Sequence, residues 1–134
     1  MFRQPTWQNA SGVNNQYARG ARQVPDVSAA AFALAVYFQG QWGSVGGTSA
    51  AAPIWATGLA LVNEGTMQQA GNFVYSPQLF YHVADNSAGM HPYYDVTQGN
   101  NLYYPATPGW DFATGLGTPN LADFYQAVVA AMGK

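Results

Sequence analysis

Ser49 stands behind two glycines at the opening of an apolar helical run, in the order Gly46-Gly47-Thr48-Ser49-Ala50-Ala51-Ala52-Pro53. Glycines let the backbone turn sharply and let another chain come close. A helix amino terminus offers free N–H groups and positive potential, which favour developing negative charge. Those are the needs of a nucleophilic serine whose own N–H helps form an oxyanion hole, with Gly46, Gly47 and Thr48 bordering the substrate. Position alone suits a helix-capping serine equally well.

A second group of residues could hold a metal. Asp95-Val96 is followed by Thr107-Pro108-Gly109-Trp110-Asp111 and then Thr114-Gly115-Leu116-Gly117-Thr118-Pro119. Two carboxylates flank a loop rich in carbonyls and glycine turns. Calcium takes about six to eight hard oxygen ligands, and backbone carbonyls serve as well as side chains. The chain has no cysteine and only two histidines, which argues against zinc. An ordinary loop with two solvated acids is the other reading of the same residues.

The elements that must position these groups follow from the pattern. Residues 1–22 are polar and glycine-punctuated, and read as loop with a short helix. Val24–Ser28 is a strand or loop segment fixed by Pro25. Ala33–Phe38 and Trp42–Val45, on either side of Gln39-Gly40-Gln41, predict a β-hairpin. Ser49–Asn63 reads as a helix with Pro53 in its first turn, ended by Asn63-Glu64-Gly65. It carries no charge before Glu64, the pattern of a helix buried on all sides. A second helix is expected over Pro77–Ala84. Asp85–Gly109 reads as a long loop of the kind that is functional or tied down by a ligand. Asn120 is expected to cap a last helix through Met132, with Leu121, Phe124, Val128 and Val129 on its apolar face.

Composition bounds the class. The 134 residues make one domain, 1–134, with no internal repeat and no linker. Only 7% are charged, against about 25% in an ordinary globular domain. Four Lys and Arg exclude a basic nucleic-acid stripe, so nucleic acid is not an expected partner. No apolar run is long enough to span a membrane as a helix, and the chain does not open on a signal-peptide pattern. So few titrating groups leave little to lose in acid; equally, the surface could be hidden against something else.

The run from Gly46 through Trp55-Ala56 resembles the nucleophile segment of two related groups of serine peptidases, the subtilisins and the sedolisins (serine-carboxyl peptidases). Ala50, where subtilisins usually have Met, and the Trp55-Ala56 ending are sedolisin-like. So is the loop: Asp95-Val96 and Thr107-x-Gly109-Trp110-Asp111 resemble the sedolisin calcium site. The resemblance implies one structural calcium ion held by the Asp95 and Asp111 side chains and by the carbonyls of Val96, Thr107 and Gly109. Position 107 is Thr where the family has Gly. Arg22-x-Val24-Pro25-Asp26-Val27-Ser28-Ala29 resembles a segment upstream of the family's serine, in which Asp26 is structural.

In place of a histidine, sedolisins use a Glu and an Asp four residues apart on a helix, and a further Asp at the oxyanion hole. The only glutamate here is Glu64, and four residues on is Gln68. Asp26, Asp85 and Asp123 lie in no Ser-Gly-Asp segment. His82 and His91 lack the context of a subtilisin base and read as structural or surface residues. The resemblance therefore implies an α/β chain, the C-terminal portion of a subtilisin-like fold, with a parallel sheet flanked by helices and a calcium-binding loop. The implied function is that of a segment of an acid-acting serine-carboxyl endopeptidase or tripeptidyl-peptidase, secreted or extracytoplasmic, with a peptide or protein substrate. Alone it is expected to be inactive, to need the N-terminal part of the catalytic domain as partner, and to self-associate through exposed apolar surface. The alternative is a non-enzymatic, calcium-stabilised module or pseudo-peptidase that binds a partner.

Overall fold

The computed structural model describes residues 2–70, 76–87 and 89–132. Strands β1 (Leu34–Phe38) and β2 (Gln41–Val45) precede helix α1 (Thr48–Ala70) and helix α2 (Pro77–Asp85). Short strands β3 (Tyr93–Tyr94) and β4 (Thr118–Pro119) and helix α3 (Leu121–Met132) follow. The hairpin forms as its sequence predicts: β1 and β2 pair antiparallel, from Leu34 opposite Val45 to Phe38 opposite Gln41. Gln39 and Gly40 both turn through positive φ, 51° and 81°, the geometry of a tight two-residue turn.

The expected parallel sheet is not seen among the described residues. Both ladders, β1–β2 and β3–β4, are antiparallel. A parallel pair needs a crossover of a dozen or more residues, whereas β1 and β2 are joined by a turn too short for one. Residues 2–22 also differ from expectation: they hold turns and an isolated bridge between Arg3 and Ala21, with no helix.

Helix α1 runs seven residues past Asn63, through Gly65. Gly65 is no stop signal, because its missing side chain makes room for α3. A Cβ there would meet the Tyr125 ring at 2.6 Å, and one at Gly58 would meet Leu121 at 2.5 Å. Gly58 and Gly65 lie two turns apart on the stripe that also carries Trp55 and Val62, so α3 seats on that stripe. The helix is not buried all round, as its lack of charge had suggested. Trp55, Gly58, Val62 and Thr66 are buried, while Ala52, Ala56, Ala60 and Leu61 on other faces are exposed.

Helices α2 and α3 form close to where the sequence puts them. The Ser76 hydroxyl accepts the Gln78 N–H and Pro77 opens α2. The Asn120 carbonyl accepts the Phe124 N–H at the start of α3. The main core joins the three helices through Trp55, Val62, Val83, Phe124, Ala127 and Val128. Its aromatic rings meet tilted or edge to face, with Trp55 5.2 Å from Phe80 and 5.8 Å from Phe124. A second cluster, Val13, Tyr81, Trp110 and Leu116, ties the amino-terminal loop to the 106–117 loop across the other side of α2.

Phe124 is fully buried among Trp55, Phe80 and Tyr93. Phe124→Ala is expected to lower unfolding stability by about 3–5 kcal/mol in urea titration. A loss below about 1 kcal/mol would show that the three helices do not share this core.

Candidate active site

Ser49 is the second residue of α1, and β2 delivers the chain to it through Gly46-Gly47. The two glycines lie against the backbone of Ala31. The Gly47 N–H donates to the Ala31 carbonyl at 2.7 Å, and a Cβ on Gly46 would meet that oxygen at 3.0 Å. Gly47 has φ of 105°, a conformation that side chains disfavour, so the strand-to-helix turn requires glycine. Thr48 and Ser49 are exposed at the helix end. The helix opens at Thr48, so Pro53 falls in its second turn and not its first. Lacking an N–H, Pro53 leaves the Ser49 carbonyl without its helical donor.

Among the described residues no side chain is hydrogen-bonded to the Ser49 hydroxyl. Four of the six acids are engaged elsewhere. Asp26 pairs with Arg22, Asp95 and Asp111 serve the 107–114 loop, and Asp123 accepts the His91 N–H at 2.9 Å. Glu64 and Asp85 are exposed on α1 and α2. His82 is exposed on α2, against Asn86, and His91 is exposed in the loop.

The second group of residues does converge. Asp111 is buried, and its Oδ1 accepts the backbone N–H groups of Ala113 and Thr114, both at 2.8 Å. Its Oδ2 accepts the Thr107 N–H at 2.8 Å. The exposed Asp95 reaches the same turn, where its Oδ2 accepts the Gly109 N–H at 2.7 Å. Both carboxylates thus face one turn, residues 107–109. Among the described residues the carbonyls of Val96, Thr107 and Gly109 accept no hydrogen bond. Thr107 is not among the residues with positive φ, so this backbone does not require glycine there. No three His, Asp or Glu side chains cluster among the described residues, so a cation here would depend on carbonyls. The Asp95 and Asp111 carboxylates and the carbonyls of Val96, Thr107 and Gly109 are all hard oxygens, the donor type that calcium takes.

Asp26 is structural, as expected, and the structure shows how. Arg22 Nη2 lies 2.7 and 2.6 Å from its two oxygens, and Tyr81 donates its hydroxyl to Oδ1 at 2.7 Å. Gln8 Nε2 donates to the Tyr81 oxygen and to the Gln23 carbonyl, each at 2.8 Å. Burial, then the hydrogen bond to Asp26, raises the Tyr81 phenol above its ordinary value. Sequence reasoning missed Tyr81 and Gln8, which lie 55 residues after and 18 before Asp26 and carry no local signal. It also missed Ala113 and Thr114 as donors to Asp111, although an Asp followed by Ala-Thr-Gly two residues on is a readable Asx-turn pattern.

Segment 25–31 and the first turns of α1 border an open, largely apolar cleft of about 720 Å³, lined by Val27, Ala29, Thr48, Ala52, Trp55 and Thr114 among others. Among the described residues the buried Ser28 hydroxyl on its wall has no hydrogen-bond partner.

An exposed serine at a glycine-led helix terminus is compatible with a serine-peptidase-like site. The comparisons agree. The chain is 34% identical over its whole length to kumamolisin from Bacillus sp. strain MN-32. It is 37% identical over 84% of its length to a tripeptidyl-peptidase, sed1, of Aspergillus fumigatus. It is 32% identical over 88% of its length to sedolisin from Pseudomonas sp. strain 101. The solved structure of Pseudomonas sedolisin, a serine-carboxyl proteinase complexed with two molecules of pseudo-iodotyrostatin, superposes on 96% of the chain with TM-score 0.71 and 27% identity. No family model matches. The chain is related in sequence and fold to the sedolisin family of peptidases. It spans only 18–25% of the length of those curated relatives and 34% of the solved chain.

Tyr81→Phe leaves the partly buried Asp26 one donor short. It is expected to cost about 1–3 kcal/mol in urea unfolding. Because burial raises the folded phenol above its unfolded value, its contribution is complete below about pH 10 and declines as pH rises further. Tyrosinate absorbance from Tyr81 should therefore appear at higher pH than that of an unfolded chain's tyrosines. A Tyr81→Phe chain that titrates and unfolds like wild type would remove this network from the account.

Proposed function

We propose that this chain is the nucleophile-bearing segment of an acid-acting serine-carboxyl peptidase that cleaves peptides or proteins outside the cytoplasm. The observation that carries the reading is Ser49, exposed at the amino terminus of α1 behind a Gly46-Gly47 turn in which Gly47 holds a φ that favours glycine. The Ser49 oxygen attacks the scissile carbonyl, and its proton passes to a carboxylate base. The Ser49 N–H and the positive helix end stabilise the oxyanion. The protonated base then delivers the proton to the departing amine, leaving an acyl ester on Ser49. Water, deprotonated by the same carboxylate, hydrolyses that ester and frees the serine. A carboxylate base works best near its own pKa, which sets an acid optimum.

None of the acids among the described residues reaches Ser49, so the base and the oxyanion acid come from another part of the catalytic domain. The chain's coverage of a third of the sedolisin fold supports that division. One observation favours a second reading. The same lack of a base suits a calcium-stabilised module that binds a partner without catalysis. In a chain that carries the missing acids, Ser49→Ala is expected to reduce peptide hydrolysis at acid pH by a factor on the order of 10⁶. Unchanged hydrolysis would exclude Ser49 as the nucleophile and leave the second reading.

The proposed calcium ion is held by Asp95, Asp111 and the carbonyls of Val96, Thr107 and Gly109. Its contribution is structural, fixing the turn that both carboxylates already share. Calcium that binds only the native state raises the melting temperature. At a hundredfold excess over Kd the rise should be roughly 5–10 °C, reversed by a chelator. Asp95→Asn tests the site without disturbing the buried Asp111 turn, and should abolish the rise. A rise that survives Asp95→Asn, or none at millimolar calcium, would exclude this site.

A further inference from the structure

We propose that Trp55 is a positioning residue for Ser49: its indole N–H, bonded to the Ser28 carbonyl, sets how the helix end that carries the serine is turned. The inference rests on the peptidase reading of Ser49.

Residues 48–54 of α1 are exposed or half-buried, and Trp55 is the first buried residue of the helix. The Ser49 end therefore overhangs the three-helix core. Segment 28–31 holds that end at two points. The Ala31 carbonyl accepts the Gly47 N–H at 2.7 Å, and the Ser28 carbonyl accepts the Trp55 indole N–H at 2.7 Å. These contacts lie on either side of Ser49 in the chain. At about 1.5 Å of rise per residue, Trp55 stands roughly 9 Å further along the axis than Ser49, and on another side of the helix. The first contact fixes where the helix starts, and the second fixes its rotation. The segment is itself anchored, because the Ser28 N–H donates to the Gly117 carbonyl at 3.0 Å and the Pro25 carbonyl accepts the Trp110 indole N–H at 2.9 Å.

Apolar packing alone gives a weaker hold on rotation. The Trp55 ring meets Phe80, Tyr93 and Phe124 at 5.2, 6.2 and 5.8 Å. Apolar burial is non-directional, whereas a hydrogen bond weakens steeply as its angle closes. On a helix of about 2.3 Å radius, a turn of roughly 25° moves the Ser49 Cα by about 1 Å. A misplacement of about 1 Å can cost about 10²-fold in rate. The Ser49 N–H takes part in neither contact and in no other backbone hydrogen bond among the described residues, so it stays open to an oxyanion.

Two replacements at position 55 remove the donor and keep an aromatic ring in the core. One is Trp55→Phe; the other is benzothienylalanine, in which sulfur stands in place of the N–H. In a chain that carries the missing acids, each is expected to lower kcat for peptide hydrolysis at acid pH by roughly 10–100-fold. KM should not change, because the substrate's other contacts remain and only the approach of the serine oxygen is spoiled. Val128→Ala, in the same core but on α3, should lower the melting temperature and leave the kcat of the folded enzyme unchanged. Unchanged kcat in both position-55 variants, with Ser49→Ala inactive, overturns the inference and leaves the peptidase reading standing. An equal loss of kcat in Val128→Ala also overturns it, by showing that core stability and not the indole bond sets the rate. Hydrolysis that survives Ser49→Ala overturns the reading itself, and the inference with it.

Discussion

Four residues, Pro25–Ser28, hold the molecule together through their backbone. The Pro25 carbonyl accepts the Trp110 indole N–H at 2.9 Å, and the Ser28 carbonyl accepts the Trp55 indole N–H at 2.7 Å. Between them the Asp26 carbonyl accepts the Leu116 N–H, and the Ser28 N–H donates to the Gly117 carbonyl. This segment lies in no ladder, yet buried backbone polar groups need partners, and these four find theirs in groups distant in sequence. Trp55 belongs to the helix that carries Ser49, and Trp110 adjoins Asp111. The segment therefore sets the nucleophile helix and the two-carboxylate loop relative to each other.

That arrangement explains the fold's economy of charge. Asp26 sits on the strut, fixed by Arg22 and Tyr81, and Arg22 also stacks over the Trp7 ring at 5.1 Å. The close approach of Gly115, whose Cβ would meet the Asp26 carbonyl at 2.4 Å, seals the strut against the loop. Conformational freedom at position 115 is thus a packing requirement: φ of 62° brings the two backbones together, and any side chain would separate them. Four of the six acids are engaged in positioning, and among the described residues none is hydrogen-bonded to Ser49.

Much of the local structure was legible because it is encoded locally. Ser76-Pro77 opens α2, Asn120 precedes α3, and Gln39-Gly40 reverses the hairpin. The glycine-led serine and the Asp95–Asp111 loop were visible as motifs, and the loop's two carboxylates do meet on one turn. What failed depends on partners distant in sequence. Gly65 looked like a helix stop because nothing nearby announces Tyr125 lying against it. Helix α1 looked buried all round because sequence shows the want of charge and not which faces find neighbours. The Asp26–Tyr81–Gln8 network was invisible for the same reason.

The face of α1 that turns away from α3 is exposed, and so is Ser49 at the start of the same helix. Trp55, Gly58 and Val62 turn to α3, while Ala52, Ala56 and Ala60 turn to a side that the described residues leave uncovered. Small residues at every fourth position let another backbone approach closely, and they offer few contacts until something does. The cleft beside Thr48 and Trp55 opens on the same end of the helix. A polypeptide layer seated there would bury the alanine face and bring groups within reach of Ser49 in one step. Under the peptidase reading, the surface that completes the core and the surface that completes the catalytic site are the same surface.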